Sequence, residues 1–162
     1  MRGNGLVNET PCVVGNITRM KMLLPVGKAR SWDLIATSEG LASWLSKRCT
    51  GTATVGGLLT FGWADGSVDR FRVRRLGKNR SSFAMGWRNG AELRVYLHGR
   101  LTTLTLEVEY KNTLSGRSDQ ISELPRWAFR LANLKSVAVN RRDLRSGSTM
   151  LRRSWGAGFI DG

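Results

Sequence analysis

The sequence predicts an α+β domain, an antiparallel curved sheet of six to seven strands wrapped around one long C-terminal helix. Two short helices follow the first strand. Three observations carry this expectation. Residues 118–145 are the only stretch long enough for a major helix, and their apolar residues recur at a 3.6-residue period. Residues 50–111 divide into short runs in which apolar and polar side chains alternate, the mark of a sheet with one dry and one wet face. Gly- and Asn-rich pairs separate those runs where hairpins would turn.

In chain order, residues 1–15 are rich in Gly and Asn and read as a flexible leader. Residues 16–146 form the domain. Its first strand is Ile17 to Leu24, where Met20, Met22 and Leu24 alternate with Arg19, Lys21 and Leu23, and Pro25 ends it. Lys28 to Lys47 is helical in two pieces. Trp32, Leu34 and Ile35 give the first an apolar side, while Thr37 or Ser38 caps a second that buries Leu41, Trp44 and Leu45.

The meander begins with a weak strand, Gly51 to Val55. Phe61 and Trp63 then lead into Asp65-Gly66, a two-residue hairpin signal. Phe71 and Val73 alternate with Arg70, Arg72 and Arg74. Phe83, Met85 and Trp87 lead into Asn89-Gly90, the clearest turn in the chain. Leu93, Val95 and Leu97, then Leu104, Leu106, Val108 and Tyr110, supply the last two strands.

The long helix, Ser118 to Arg145, has Ser118 or Ser122 as cap, Glu123 and Pro125 in its first turn, and Gly147 as stop. Ile121, Leu124, Trp127, Ala128, Leu131, Leu134 and Ala138 make its stripe, with Arg126, Arg130, Asn133 and Asn140 opposite. Residues 147–162 are expected to be a C-terminal tail.

Size and composition fit one globular unit of 162 residues, 41% hydrophobic. No apolar run approaches a membrane-spanning length and the N-terminus lacks a signal-peptide core, so a cytoplasmic protein is expected. Cys12, Cys49 and His98 are too few for a disulfide framework or a metal set, and neither a metal nor a cofactor is expected. The net charge of +14 is spread along the chain and favours non-specific attraction to polyanions.

The element order resembles that of the helix-grip fold of the START-like, or SRPBCC, superfamily. Two stretches sharpen the likeness. Trp32 to Trp44, WDLIATSEGLASW, is similar to the W-x-x-L-T-x-P-E-G-L-x-x-W opening of the chaperone-ATPase-activator-homologue branch, with Ser38 in place of its Pro. Trp127, Leu131, Leu134 and Lys135 match the W-x-x-x-[IL]-x-x-L-K pattern of that branch's final helix. The resemblance implies a cavity between sheet and helix. Superfamily members use it for lipids, sterols, hormones or polyketides, some as cyclases or dehydratases, and others act on a protein partner.

Three constellations follow. Phe61, Trp63, Phe71, Phe83, Met85, Trp87 and Tyr110 from the sheet would face Trp127, Leu131 and Leu134 from the helix, lining an apolar ligand site or simply filling the core. Lys135, within the helix stripe, would meet a ligand anion or lay its stem on apolar surface. Arg70, Arg72, Arg74, Arg75, Lys78 and Arg80 would form a basic patch for nucleic acid, an anionic membrane or a protein, or a solvated sheet face. No catalytic residue stands out, since His98 is expected on the wet face and no nucleophile pairs with a base. The leading expectation is therefore non-enzymatic binding of a small hydrophobic molecule. Surface binding of a protein or polyanion, and a cyclase or dehydratase, are the alternatives.

Overall fold

The structure, a computed structural model, describes residues 11–146 of the chain. Eight strands form one antiparallel sheet in the order β1-β2-β8-β7-β6-β5-β4-β3. They are β1 (Cys12–Val14), β2 (Ile17–Leu24), β3 (Arg48–Thr50), β4 (Leu58–Gly62), β5 (Val68–Leu76), β6 (Ser82–Gly86), β7 (Glu92–His98) and β8 (Thr102–Glu109). Helices α1 (Lys28–Ala36) and α2 (Ser38–Trp44) lie between β2 and β3, and α3 (Leu114–Asn140) follows β8. This is the helix-grip arrangement.

The alternation read from the sequence sets which face is buried. In β2, Met20, Met22 and Leu24 point inward while Arg19, Lys21 and Leu23 are exposed. Phe71 and Val73 do the same in β5 against Arg70, Arg72 and Arg74. The turns follow local chemistry. Asn89 and Gly90 both have positive φ, 56° and 75°, and Ala91 N–H donates to the Arg88 carbonyl at 3.1 Å while Trp87 N–H donates to the Ala91 carbonyl at 2.8 Å, so the hairpin turns over residues 88–90. The Asp65-Gly66 hairpin differs from the two-residue expectation. Trp63 N–H donates to the Ser67 carbonyl, leaving a three-residue loop closed by Gly66 at φ 87°. That longer loop leaves Trp63 just beyond the end of β4.

Several boundaries depart from the sequence reading. The eighth strand is β1, paired to β2 from within the stretch expected as a leader. The weak strand expected at Gly51 to Val55 is instead β3, before Gly51 turns the chain at φ 108°. Helix α3 starts earlier than expected, because Thr113 caps it by accepting from Gly116 N–H at 3.1 Å. Pro125 therefore falls inside the helix rather than in its first turn, and the bond to the Ile121 carbonyl is missing. The helix stops at Asn140, where Arg141 takes the left-handed conformation, φ 52°, that Gly147 was expected to provide. Residues 1–10 of the expected leader, Gly147 and the tail 147–162 lie outside the described residues.

The expected stripe of α3 holds at Trp127, Leu131, Leu134 and Ala138, which are buried, and departs from expectation at two positions. Ile121 is 68% exposed, whereas Asn133 is fully buried. The reason is a second layer: α3 is covered by the sheet on one side and by α1 and α2 on another. Asn133 Nδ2 donates to the Trp44 carbonyl at the end of α2, and Asn133 Oδ1 accepts from Leu144 N–H. Arg145 clamps the returning chain to the same end, donating to the Ser46 and Ala42 carbonyls while paired with Asp143.

Candidate functional site

Between the sheet and the first half of α3, six aromatic rings meet. Strand β4 and the residue after it bring Phe61 and Trp63, β5 brings Phe71, and the residues following β6 and β8 bring Trp87 and Tyr110. Helix α3 brings Trp127. Ring centroids are 4.9 Å apart for Trp87 and Trp127, 5.0 Å for Phe71 and Trp87, and 6.0 Å for Trp63 and Trp87. These spacings are those of tilted, stacked and edge-on aromatic pairs. Trp127 and Phe61 are fully buried, while Trp63 is half-buried.

Helical spacing adds polar groups to this apolar seam. Glu123, Trp127 and Arg130 sit at i, i+4 and i+7, so all three share one side of α3. The Glu123 carboxylate is buried, and one oxygen accepts from the Tyr110 hydroxyl at 2.7 Å and the Trp87 indole N–H at 3.3 Å. Burial, and then the Glu123 charge beside it, push the Tyr110 phenol above its ordinary range.

Arg130 lies among three indoles, its guanidinium carbon 4.5 Å from the Trp127 ring centre, 5.3 Å from Trp87 and 5.9 Å from Trp63. Burial pushes it down to about 10, with Glu123 opposing and Arg88 and Arg126 adding repulsion. Arg130 is thus still a cation at neutral pH, held there at a cost. On the outer side of Trp63, Arg88 sits 4.3 Å over the ring and pairs with Asp69 at 2.9 Å, and Asp69 also accepts from the Trp63 indole at 2.6 Å.

Two donors in this seam remain open. Trp127 Nε1 and Arg130 Nη1 are buried and meet no acceptor in hydrogen-bond geometry among the described residues. The Trp127 nitrogen approaches the Tyr110 hydroxyl without aligning to it. A buried unpaired donor costs about 1–3 kcal/mol.

A cleft of about 750 Å³ opens beside the seam, lined by Leu45, Trp63, Ala64, Val137, Arg141 and Arg145 among others. Trp63 belongs to both, since it walls the cleft and its ring faces Trp87 and Arg130.

Of the residues expected to line a cavity, Phe61, Trp63, Phe71, Trp87, Tyr110 and Trp127 come together here. Phe83, Met85, Leu131 and Leu134 are buried in the same continuous core. Lys135 is half-buried on α3 and is not part of the aromatic cluster. Arg130 was expected on the polar side and is in the cluster instead, because it lies only about 60° around the helix from Trp127. Glu123, expected as a first-turn residue, becomes a buried acceptor because the helix begins nine residues before it. Arg88 and Asp69 carried no signal beyond flanking the hairpins.

The outer face of the sheet divides in two. On β2, β7 and β8, Arg94 is neutralised by Glu107 and Glu109 at 3.2 and 2.7 Å, and Arg19 pairs with Glu107 at 2.8 Å. On β5 and its turn, Arg70, Arg72, Arg74, Arg75, Lys78 and Arg80 are all exposed. Arg74 has one distant carboxylate, Glu92 at 3.7 Å, and Arg72 donates to the Gly56 carbonyl. His98 is also exposed, its ring stacked beside Tyr96 on this face. No group of three metal-ligating side chains occurs among the described residues.

No protein-family model and no curated protein matches the chain. Solved structures do. A protein from Bordetella parapertussis aligns over 93% of this chain and 88% of its own at 18% identity, TM-score 0.66. The Aha1 dimer from Colwellia psychrerythraea aligns over 81% and 98% at 17% identity, TM-score 0.60. DynU16, a putative protein in the dynemicin biosynthetic locus, aligns over 79% of this chain at 16% identity, TM-score 0.68, and the match spans about half, 49%, of its length. At these identities the likeness shows the fold.

Proposed function

We propose that this chain is a non-enzymatic binder of a small hydrophobic molecule, received in the aromatic seam between the sheet and α3. The observation that carries the reading is the Trp63–Trp87–Trp127 group with its two unanswered donors, set beside a cleft that shares Trp63. A site of this kind, mostly aromatic with few converging polar groups, suits a small molecule. The helix-grip fold, shared with Aha1 and DynU16, is compatible with it. Burying about 300 Å² of apolar ligand gains about 7 kcal/mol, which after immobilisation costs leaves micromolar affinity within reach.

Leu131, one turn beyond Trp127 on α3, supplies the test. Leu131→Trp extends an indole into the ligand's space. Saturable quenching of tryptophan fluorescence by 2-naphthol is expected for the wild type and is expected to vanish in a folded Leu131→Trp. If Leu131→Trp unfolds the chain, Leu131 was packed core and the pocket reading fails.

A second reading rests on the exposed basic row of β5, where Glu92 at 3.7 Å from Arg74 is the one carboxylate paired among the described residues, against the three that surround Arg94. It describes a surface that holds a polyanion. Binding there would fall steeply between low and physiological salt, whereas 2-naphthol binding would not.

A further inference from the structure

We infer that the molecule held in this seam carries a carboxylate, whose oxygens accept from Arg130 Nη1 and Trp127 Nε1. The inference rests on the ligand-binding reading above and specifies its chemistry.

The donors are of two kinds, a charged guanidinium N–H and a neutral indole N–H, and both are buried on the same side of α3 with no acceptor among the described residues. The other side-chain hydrogen bonds of the cluster are made within it. Glu123 takes the Tyr110 hydroxyl and the Trp87 indole, and Asp69 takes the Trp63 indole and Arg88. The two buried side-chain atoms left without a partner among the described residues are therefore both donors. A ligand that only donated hydrogen bonds would leave Arg130 and Trp127 as they are.

Charge favours an anion over a neutral acceptor. Arg88 is balanced by Asp69 at 2.9 Å, whereas Arg130 has no ion pair within 4.0 Å among the described residues. Its charge faces the π-surfaces of three indoles, and burial weakens its hold on the proton, with the nearby Glu123 carboxylate opposing and Arg88 and Arg126 adding repulsion. A ligand carboxylate would give Arg130 Nη1 and Trp127 Nε1 the acceptors that Glu123 does not provide, and charge-assisted bonds to arginine are the stronger kind. The surrounding rings offer stacking surface for an aromatic or alicyclic body attached to that carboxylate.

The test uses a matched pair of probes, naphthalene-2-carboxylate and naphthalene-2-carboxamide, on the full chain. Tryptophan quenching and the indole ¹⁵N–¹H spectrum are the readouts, with the Trp127 resonance assigned by its loss in Trp127→Phe. Wild type should bind the carboxylate at least about ten-fold tighter than the amide, and the carboxylate should move the Trp127 resonance. Arg130→Met, which keeps the stem while removing a buried charge, should melt no lower than wild type. It should lose about ten-fold in carboxylate affinity and leave the amide nearly unchanged.

Equal binding of both probes to wild type would overturn the carboxylate inference while leaving the binding function standing. Carboxylate affinity unaltered in folded Arg130→Met would overturn it too. If neither probe binds wild type, both the inference and the function it rests on fall.

Discussion

Arg130 and Cys49 illustrate how burial sets the chemistry of single groups here. Arg130 is held as a cation in an aromatic surround, where burial pushes it down to about 10 and so penalises the charged form without removing the proton at neutral pH. Because its folded value lies below its unfolded one, the charge works against folding at neutral pH, and this penalty is relieved only as pH rises above about 10. Cys49 is simpler. Burial, then the Glu39 charge, pushes its thiol up to about 11. At pH 8 only about one molecule in a thousand would carry its thiolate. Native protein treated with iodoacetamide at pH 8 is therefore expected to be alkylated at exposed Cys12 and not at Cys49, with Cys49 reacting only near pH 11 or after unfolding. Rapid native alkylation of Cys49, read by peptide mass mapping, would contradict this placement.

Among the elements, the α1–α2 corner is the tightest joint. Gly40 packs so close to the carbonyl of Asp33 in α1 that an added Cβ would strike backbone that cannot give way. Gly40→Ala is expected to cost about 1–3 kcal/mol and to lower Tm by roughly 5–10 °C. At Gly62 the added Cβ meets only Arg48 Cβ at 3.5 Å, so Gly62→Ala should melt near wild type. Equal melting of the two variants would show that the corner is not close-packed. The sequence motif at this corner was legible because it is a packing motif, with Thr37 capping α2 by accepting from Gly40 N–H at 3.0 Å. The limits of α3 were less legible. Ser118 and Ser122 offered caps as plausible as Thr113, and nothing local announced that Arg141 would adopt a left-handed turn to end the helix.

At the scale of the molecule, the alternation of the strands and the order of elements were enough to place the sheet, because period-two patterning fixes which face is dry. The aromatic half of the candidate site was legible for the same reason. The polar half was not. Glu123 and Arg130 look like solvent-facing helix residues until α1 and α2 cover a second side of α3 and Tyr110 and Trp87 arrive from distant strands. Such groups are defined by tertiary neighbours, and hydrophobic periodicity counts every charge as a surface vote. The outer sheet face behaved as its pattern implied, with one half neutralised around Arg94 and the other left basic along β5.

The central claim is a single small-molecule site between sheet and helix. Native mass spectrometry tests it most directly, recorded on freshly purified protein and again after incubation with naphthalene-2-carboxylate, against the denatured mass. The account predicts an adduct that saturates at one molecule per chain, whether already present on purification or formed by the probe. No adduct, or a ladder of adducts that keeps lengthening with probe concentration, would contradict it.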